Sequence, residues 1–142
     1  LFCGIYLPKR WAILAPLAAM FLSDLIIGFY SLPIMLSVYS SFALTGVIGR
    51  WIRRQKNIRR IIGGTLLGSI LFFLATNWAV WAFGTMYPHT IQGLSESYTM
   101  ALPFFRNSLL GDFFYVGLLV GGYELVLHRL SQRQPQSQKQ NV

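Results

Sequence analysis

Three polar side chains stand inside apolar runs, where a hydrocarbon solvent would make them costly: Asp24, Asn77 and Asp112. Polar and charged groups so placed face a protein interior or a water-filled cavity, where they bind solutes, relay protons or tie helices together. Ser37 and Ser41 lie one helical turn apart, and Arg106 and Asn107 shortly precede Asp112. Phe73 and Trp81 flank Asn77 at i−4 and i+4, while Tyr115 follows Asp112 at i+3, spacings that share a helical face. Such a set suits charge pairing and hydrogen bonding to a small polar ligand held between aromatic rings. Two carboxylates could also serve acid–base catalysis, but no nucleophile–base set accompanies them, and no Walker, HExxH, GxSxG or CxxC pattern occurs. Cys3 is the single cysteine, and His89 and His128 have no metal-ligand spacing. These residues point to a binding protein without cofactor, metal or catalytic role.

The elements that must position them are hydrophobic helices. Of 142 residues, 54% are hydrophobic and 11% charged, against roughly 25% charged in a soluble domain. Mean hydropathy is +0.51. A chain this small could not hide that much apolar surface from water, so lipid is its expected partner. A spanning helix needs about 20 apolar residues, and four stretches qualify: 11–30, 33–49, 61–83 and 108–127. The fold expected is an all-α, polytopic transmembrane bundle over residues 1–130. Residues 1–6 read as the end of a preceding helix, and 131–142 as a disordered, polar, cytoplasmic tail.

The net charge of +8 would suggest nucleic acid in a soluble protein. Here the basic residues crowd between apolar runs instead, which is a topology signal and excludes nucleic acid as partner. With four alternating spans, eleven of the twelve Lys and Arg fall on one side, and only Arg106 lies opposite. The expected placement is therefore a multi-pass protein of the inner (plasma) membrane, with its basic loops and C-terminus in the cytoplasm.

On these boundaries Asp24, Asn77 and Asp112 each sit roughly 6–9 Å below the outer surface, at about 1.5 Å per residue. Ser37 and Ser41 fall at a similar level, with Arg106 and Asn107 just above. The inner half instead carries small-xxx-small pairs, Ala15 and Ala19, Gly64 and Gly68, Gly117 and Gly121, which let helix backbones approach closely. Together they suggest a cup opening outward. The long outer connection, 84–107, would carry a short helix over 94–102, ended by Pro103. Other readings stay open: Asp24 or Asp112 paired with Arg106 as a lock, Asn77 as interhelical glue, and Glu124 meeting the basic loops.

The runs Ser23-Asp24-Leu25-Ile26-Ile27-Gly28-Phe29-Tyr30, Thr76-Asn77-Trp78 with Trp81, and Ala101-Leu102-Pro103-Phe104-Phe105-Arg106-Asn107-Ser108-Leu109-Leu110-Gly111-Asp112 resemble DUF6580, a family of small bacterial membrane proteins. That family is similar to the substrate-binding S components of energy-coupling-factor (ECF) transporters. The resemblance implies a truncated form of a six-helix fold, with helices absent before Leu1. It also implies a micronutrient bound near the outer face, and as partners a membrane coupling subunit and two cytoplasmic ATPases. The function expected is solute binding for such an importer. A structural or accessory subunit of a larger membrane complex is the alternative, and a membrane-embedded enzyme a third.

Overall fold

The computed structural model describes residues 1–133, so 134–142 of the expected tail lie outside the described residues. Five helices follow one another: α1 (Phe2–Tyr6), α2 (Trp11–Ile27), α3 (Leu32–Arg53), α4 (Ile58–Phe83) and α5 (Ile91–Arg133). No strand occurs among the described residues, and the chain is an all-α bundle. Three helices, α3, α4 and α5, are long and apolar enough to cross a membrane. The fourth expected span, α2, has 17 residues, the short end of the spanning range.

Helix ends follow local chemistry. Gly28 stops α2 before the expected Tyr30 by taking φ 109°, and its N–H returns to the Asp24 carbonyl at 2.9 Å. That left-handed backbone is open to glycine and strained for other residues. Pro33 stands in the first turn of α3, where its missing N–H costs nothing. α3 runs past Gly49 because Arg50 and Arg53 lie in its last turn and favour the negative end of the helix dipole. The Asn57 side chain caps α4 by accepting from the Arg59 N–H at 3.2 Å.

The largest departure is α5. Pro103 does not end a short helix but sits within one of 43 residues. A proline removes one backbone hydrogen bond, and apolar bundles tolerate that loss when the flanking turns stay paired. Most of the expected outer loop is consequently helical. Only the stretch from Gly84 to Thr90 lies between helices, and the Trp81 indole N–H pins it by donating to the carbonyls of Pro88 (3.1 Å) and Thr90 (3.2 Å).

Packing is built from small residues. A Cβ on Gly64 would strike Ile52, and one on Gly68 would lie 3.2 Å from Thr45, so α4 rests closely on α3 there. Gly117 and Gly121 differ from expectation: a Cβ on either would meet nothing within 4 Å. Both line a small apolar hollow of about 200 Å³ beside α4 rather than a close contact. Ala19 is exposed and Ala15 half-buried, while Ala12 is the fully buried contact of α2. The reason lies four residues on, because Pro16 has no N–H to offer the Ala12 carbonyl. That oxygen lies against Gly46, where a Cβ would be only 2.8 Å away.

Gly4, Gly46 and Gly49 bring α1 onto α3 in the same way, a Cβ on Gly4 lying 2.8 Å from the Gly49 Cα. A cluster of Ile5, Ile52, Ile61 and Val120 closes this end. Large apolar side chains are mostly outside instead, among them Leu25, Leu44, Leu67, Leu74 and Leu118. Small polar or glycine residues inside and leucines outside is the arrangement of a bundle whose solvent is lipid.

Candidate functional site

Asp24 is 5% exposed and accepts a 2.7 Å hydrogen bond from the Tyr39 hydroxyl, so its partner is the next helix and not Arg106. Ser37 donates to the Ala75 carbonyl (3.0 Å) and Ser41 to that of Ser37 (2.7 Å). Ser37 also borders an open groove with Leu36, Trp78 and Tyr98. These groups tie α2, α3 and α4 together, and none of them lines the two hollows that Asp112 borders.

Asn77 and Asp112 do share one. The Asn77 amide nitrogen donates to the Phe73 carbonyl at 2.8 Å, and the Asp112 carboxylate accepts from Ser69 at 2.6 Å. Both line a cavity of about 280 Å³ between α4 and α5, together with Ser108 and Thr76. Phe72, Phe73, Phe104 and Phe105 form its apolar walls, the Phe73 and Phe105 rings being 4.6 Å apart. A second hollow of about 310 Å³, reaching toward Pro16, Phe42 and Thr45, also has Ser69, Phe72, Ser108 and Asp112 in its wall. Asp112 therefore stands where two hollows meet. Ligand sites are concave, mostly apolar and carry a few placed polar groups, and this one has that composition.

Depth differs from expectation because α5 does not begin at Ser108. Asp112 lies 21 residues from Ile91 and 21 from Arg133, at the midpoint of the helix. Its partner Ser69 is eight residues from Asn77 along α4, or about 12 Å at 1.5 Å per residue. The cavity thus runs lengthwise, with Asn77 toward the Gly84 end and Asp112, itself exposed, toward the other. Glu124, twelve residues further along α5 and about 18 Å away, forms an ion pair with Lys56 at 3.3 Å. Tyr6 donates to the same carboxylate at 2.5 Å, and burial raises its hydroxyl well above the ordinary range, with the Glu124 bond adding to it. It is a proton donor at neutral pH.

The other expected ligand residues lie elsewhere. Arg106 and Asn107 are exposed on α5, and Tyr115 is 62% exposed. None of the three borders the cavity: Phe105 and Ser108, three apart, share the face that lines it, and Arg106 and Asn107 between them turn away from it. Trp81 holds the 84–90 connection. Ser69, Ser108 and Phe105 were not anticipated; the signal was available for Ser108 and Phe105, which stand at i−4 and i−7 from Asp112 and so share its face.

With this geometry, two comparisons return nothing: no curated protein and no solved structure matches the chain. A family model described as a family of unknown function (DUF6580) matches residues 1–137.

Proposed function

The chain belongs to the DUF6580 family, and on that footing we propose that it binds a small solute within the membrane as the substrate-binding subunit of an ECF-type importer. The observation that carries the reading is a cavity lined by both Asn77 and Asp112 and walled by phenylalanines. Ser69 engages one carboxylate oxygen of Asp112, and the other is the acceptor for an N–H or ammonium of the solute. Phenylalanine faces add stacking or cation–π attraction. The solute is then small, nitrogen-bearing and flat or cationic. The importer assignment rests on the sequence resemblance, with a membrane coupling subunit and cytoplasmic ATPases as partners and the basic loops in the cytoplasm of the plasma membrane.

The test is ligand-dependent thermal stabilisation of the purified chain across a panel of amines, nucleobases and vitamins. A rise in Tm with one class, abolished in Asp112→Asn, is the expected result. A flat response across the panel removes the reading.

The second reading, a structural subunit of a larger membrane complex, is favoured by one observation. Among the described residues no buried side-chain polar atom lacks a partner, as a set of internal ties requires. Its test is co-purification of a stoichiometric membrane partner without ATPases and without any solute response.

A further inference from the structure

The positive charge of this chain does more than set topology, because part of it lines a concavity. The connection before α2 and the end of α3 enclose a space of about 710 Å³, bordered by Lys9, Arg50, Arg53 and Arg54 with Val47 and Trp51. Arg53 fastens the two walls by donating to the Leu7 carbonyl at 2.8 Å, which fixes the backbone that carries Lys9. Arg60 stacks its guanidinium over the Trp51 ring at 5.4 Å and adds another cation at the rim.

Among the described residues no carboxylate answers these groups. The chain has four Asp and Glu residues, and each is engaged elsewhere: Asp24 by Tyr39, Glu96 by Gln92, Asp112 by Ser69 and Glu124 by Lys56. Four basic side chains converging without a carboxylate repel one another unless an anion joins them. Arginine forks match phosphate oxygens in pairs. The Trp51 ring, 59% exposed, together with Val47 offers an apolar surface next to the charges. Trp51 lies in the last turns of a helix long and apolar enough to span, where tryptophan belongs at a lipid interface.

We propose that this concavity binds the phosphate of an anionic phospholipid headgroup, with Lys9, Arg50, Arg53 and Arg54 around the phosphate and Val47 and Trp51 along the start of its acyl chains. Basic pockets at the ends of membrane helices suit such headgroups. The site is independent of the solute cavity.

The experiment titrates phosphatidylglycerol into the purified chain in neutral detergent and follows Tm, with phosphatidylcholine and inorganic phosphate as parallel arms. Phosphatidylglycerol is expected to raise Tm while the other two do not. The variant Arg50→Gln/Arg54→Gln keeps the Arg53–Leu7 tie and is expected to bind about thirtyfold more weakly, the effect of losing two basic side chains beside an anionic lipid. Arg106→Gln/Arg129→Gln, which removes the same charge outside the concavity, is expected to bind as the parent does. Equal weakening by both double variants would reduce the effect to net charge and overturn the site. Stabilisation by inorganic phosphate to the same degree would overturn the lipid assignment in favour of a free phosphate. Should the Arg50/Arg54 variant not fold, quenching by brominated phosphatidylglycerol decides: the parent loses Trp51 emission, assigned by difference from Trp51→Phe, and an unquenched Trp51 overturns the proposal.

Discussion

Ser69 on α4 donates a 2.6 Å hydrogen bond to Asp112 at the midpoint of α5, in the wall shared by two hollows. A carboxylate about 18 Å from the Lys56–Glu124 pair, at 1.5 Å per residue, lies near the centre of a hydrocarbon layer about 30 Å thick. A group there is expensive unless it is used.

Asp112→Asn should therefore abolish solute-dependent thermal stabilisation while leaving the ligand-free chain folded. Asp24→Asn should act oppositely, lowering Tm without changing the solute response, because Asp24 is engaged by Tyr39 away from the cavity. Differential scanning fluorimetry of both variants, with and without solute, separates the roles. A solute response lost equally in both would contradict the geometry.

The glycines divide by contact. Gly64→Val should cost about 1–3 kcal/mol, the range for overpacking a close contact, because its side chain would enter Ile52. Gly117→Ala and Gly121→Ala should be neutral or stabilising by up to about 1 kcal/mol through helix propensity, since open space surrounds both. Unfolding in mixed micelles measures all three.

Continuity of α5 through Pro103 can be read as a distance. Spin labels at Gln92→Cys and Leu110→Cys, in a Cys3→Ser background, should lie about 27 Å apart along an unbroken helix at 1.5 Å per residue. A short surface helix turned at Pro103 would bring them markedly closer. Pulsed dipolar spectroscopy distinguishes the two.

Freeing the Ala12 carbonyl has a counterpart on α3. Gly46→Ala should lower Tm, because its methyl would lie 2.8 Å from that oxygen, whereas Gly63→Ala, with open space around it, should not. Pro16→Ala restores the missing N–H, and the double variant Pro16→Ala/Gly46→Ala should recover part of the loss if the carbonyl then turns to its own helix.

Hydropathy made the apolar helices and the all-α class legible, because composition and run length alone decide whether backbone groups can be satisfied in lipid. Gly64 and Gly68 were legible as a packing face for the same reason of size. The depth of Asp112 was not. Pro103 was read as a stop by a rule that holds in water, and shifting the start of α5 from Ser108 to Ile91 moved Asp112 from the rim to the middle. Arg106 was placed by depth and Tyr115 by its i+3 spacing from Asp112, whereas Phe105 and Ser108, at i−7 and i−4, line the cavity instead. Asp24 was legible as a buried polar group, but its partner Tyr39 lies on another helix, beyond the reach of spacing along one chain segment. Gly46 and Gly49 escaped attention because they stand three apart rather than four.

Length gives α5 one more consequence. From Glu124 back to Ile91 the helix rises through 33 residue steps, about 50 Å at 1.5 Å per residue. A hydrocarbon layer of about 30 Å would absorb that only at an inclination of roughly 50°, steeper than the 0–40° that membrane helices adopt. An α5 leaning no further than that would carry its first turn beyond the lipid like a mast above a deck, and the hydroxyls of Ser97 and Tyr98, bonded to the carbonyls of Asn77 and Leu74, are the stays that tie the helix to α4 below it.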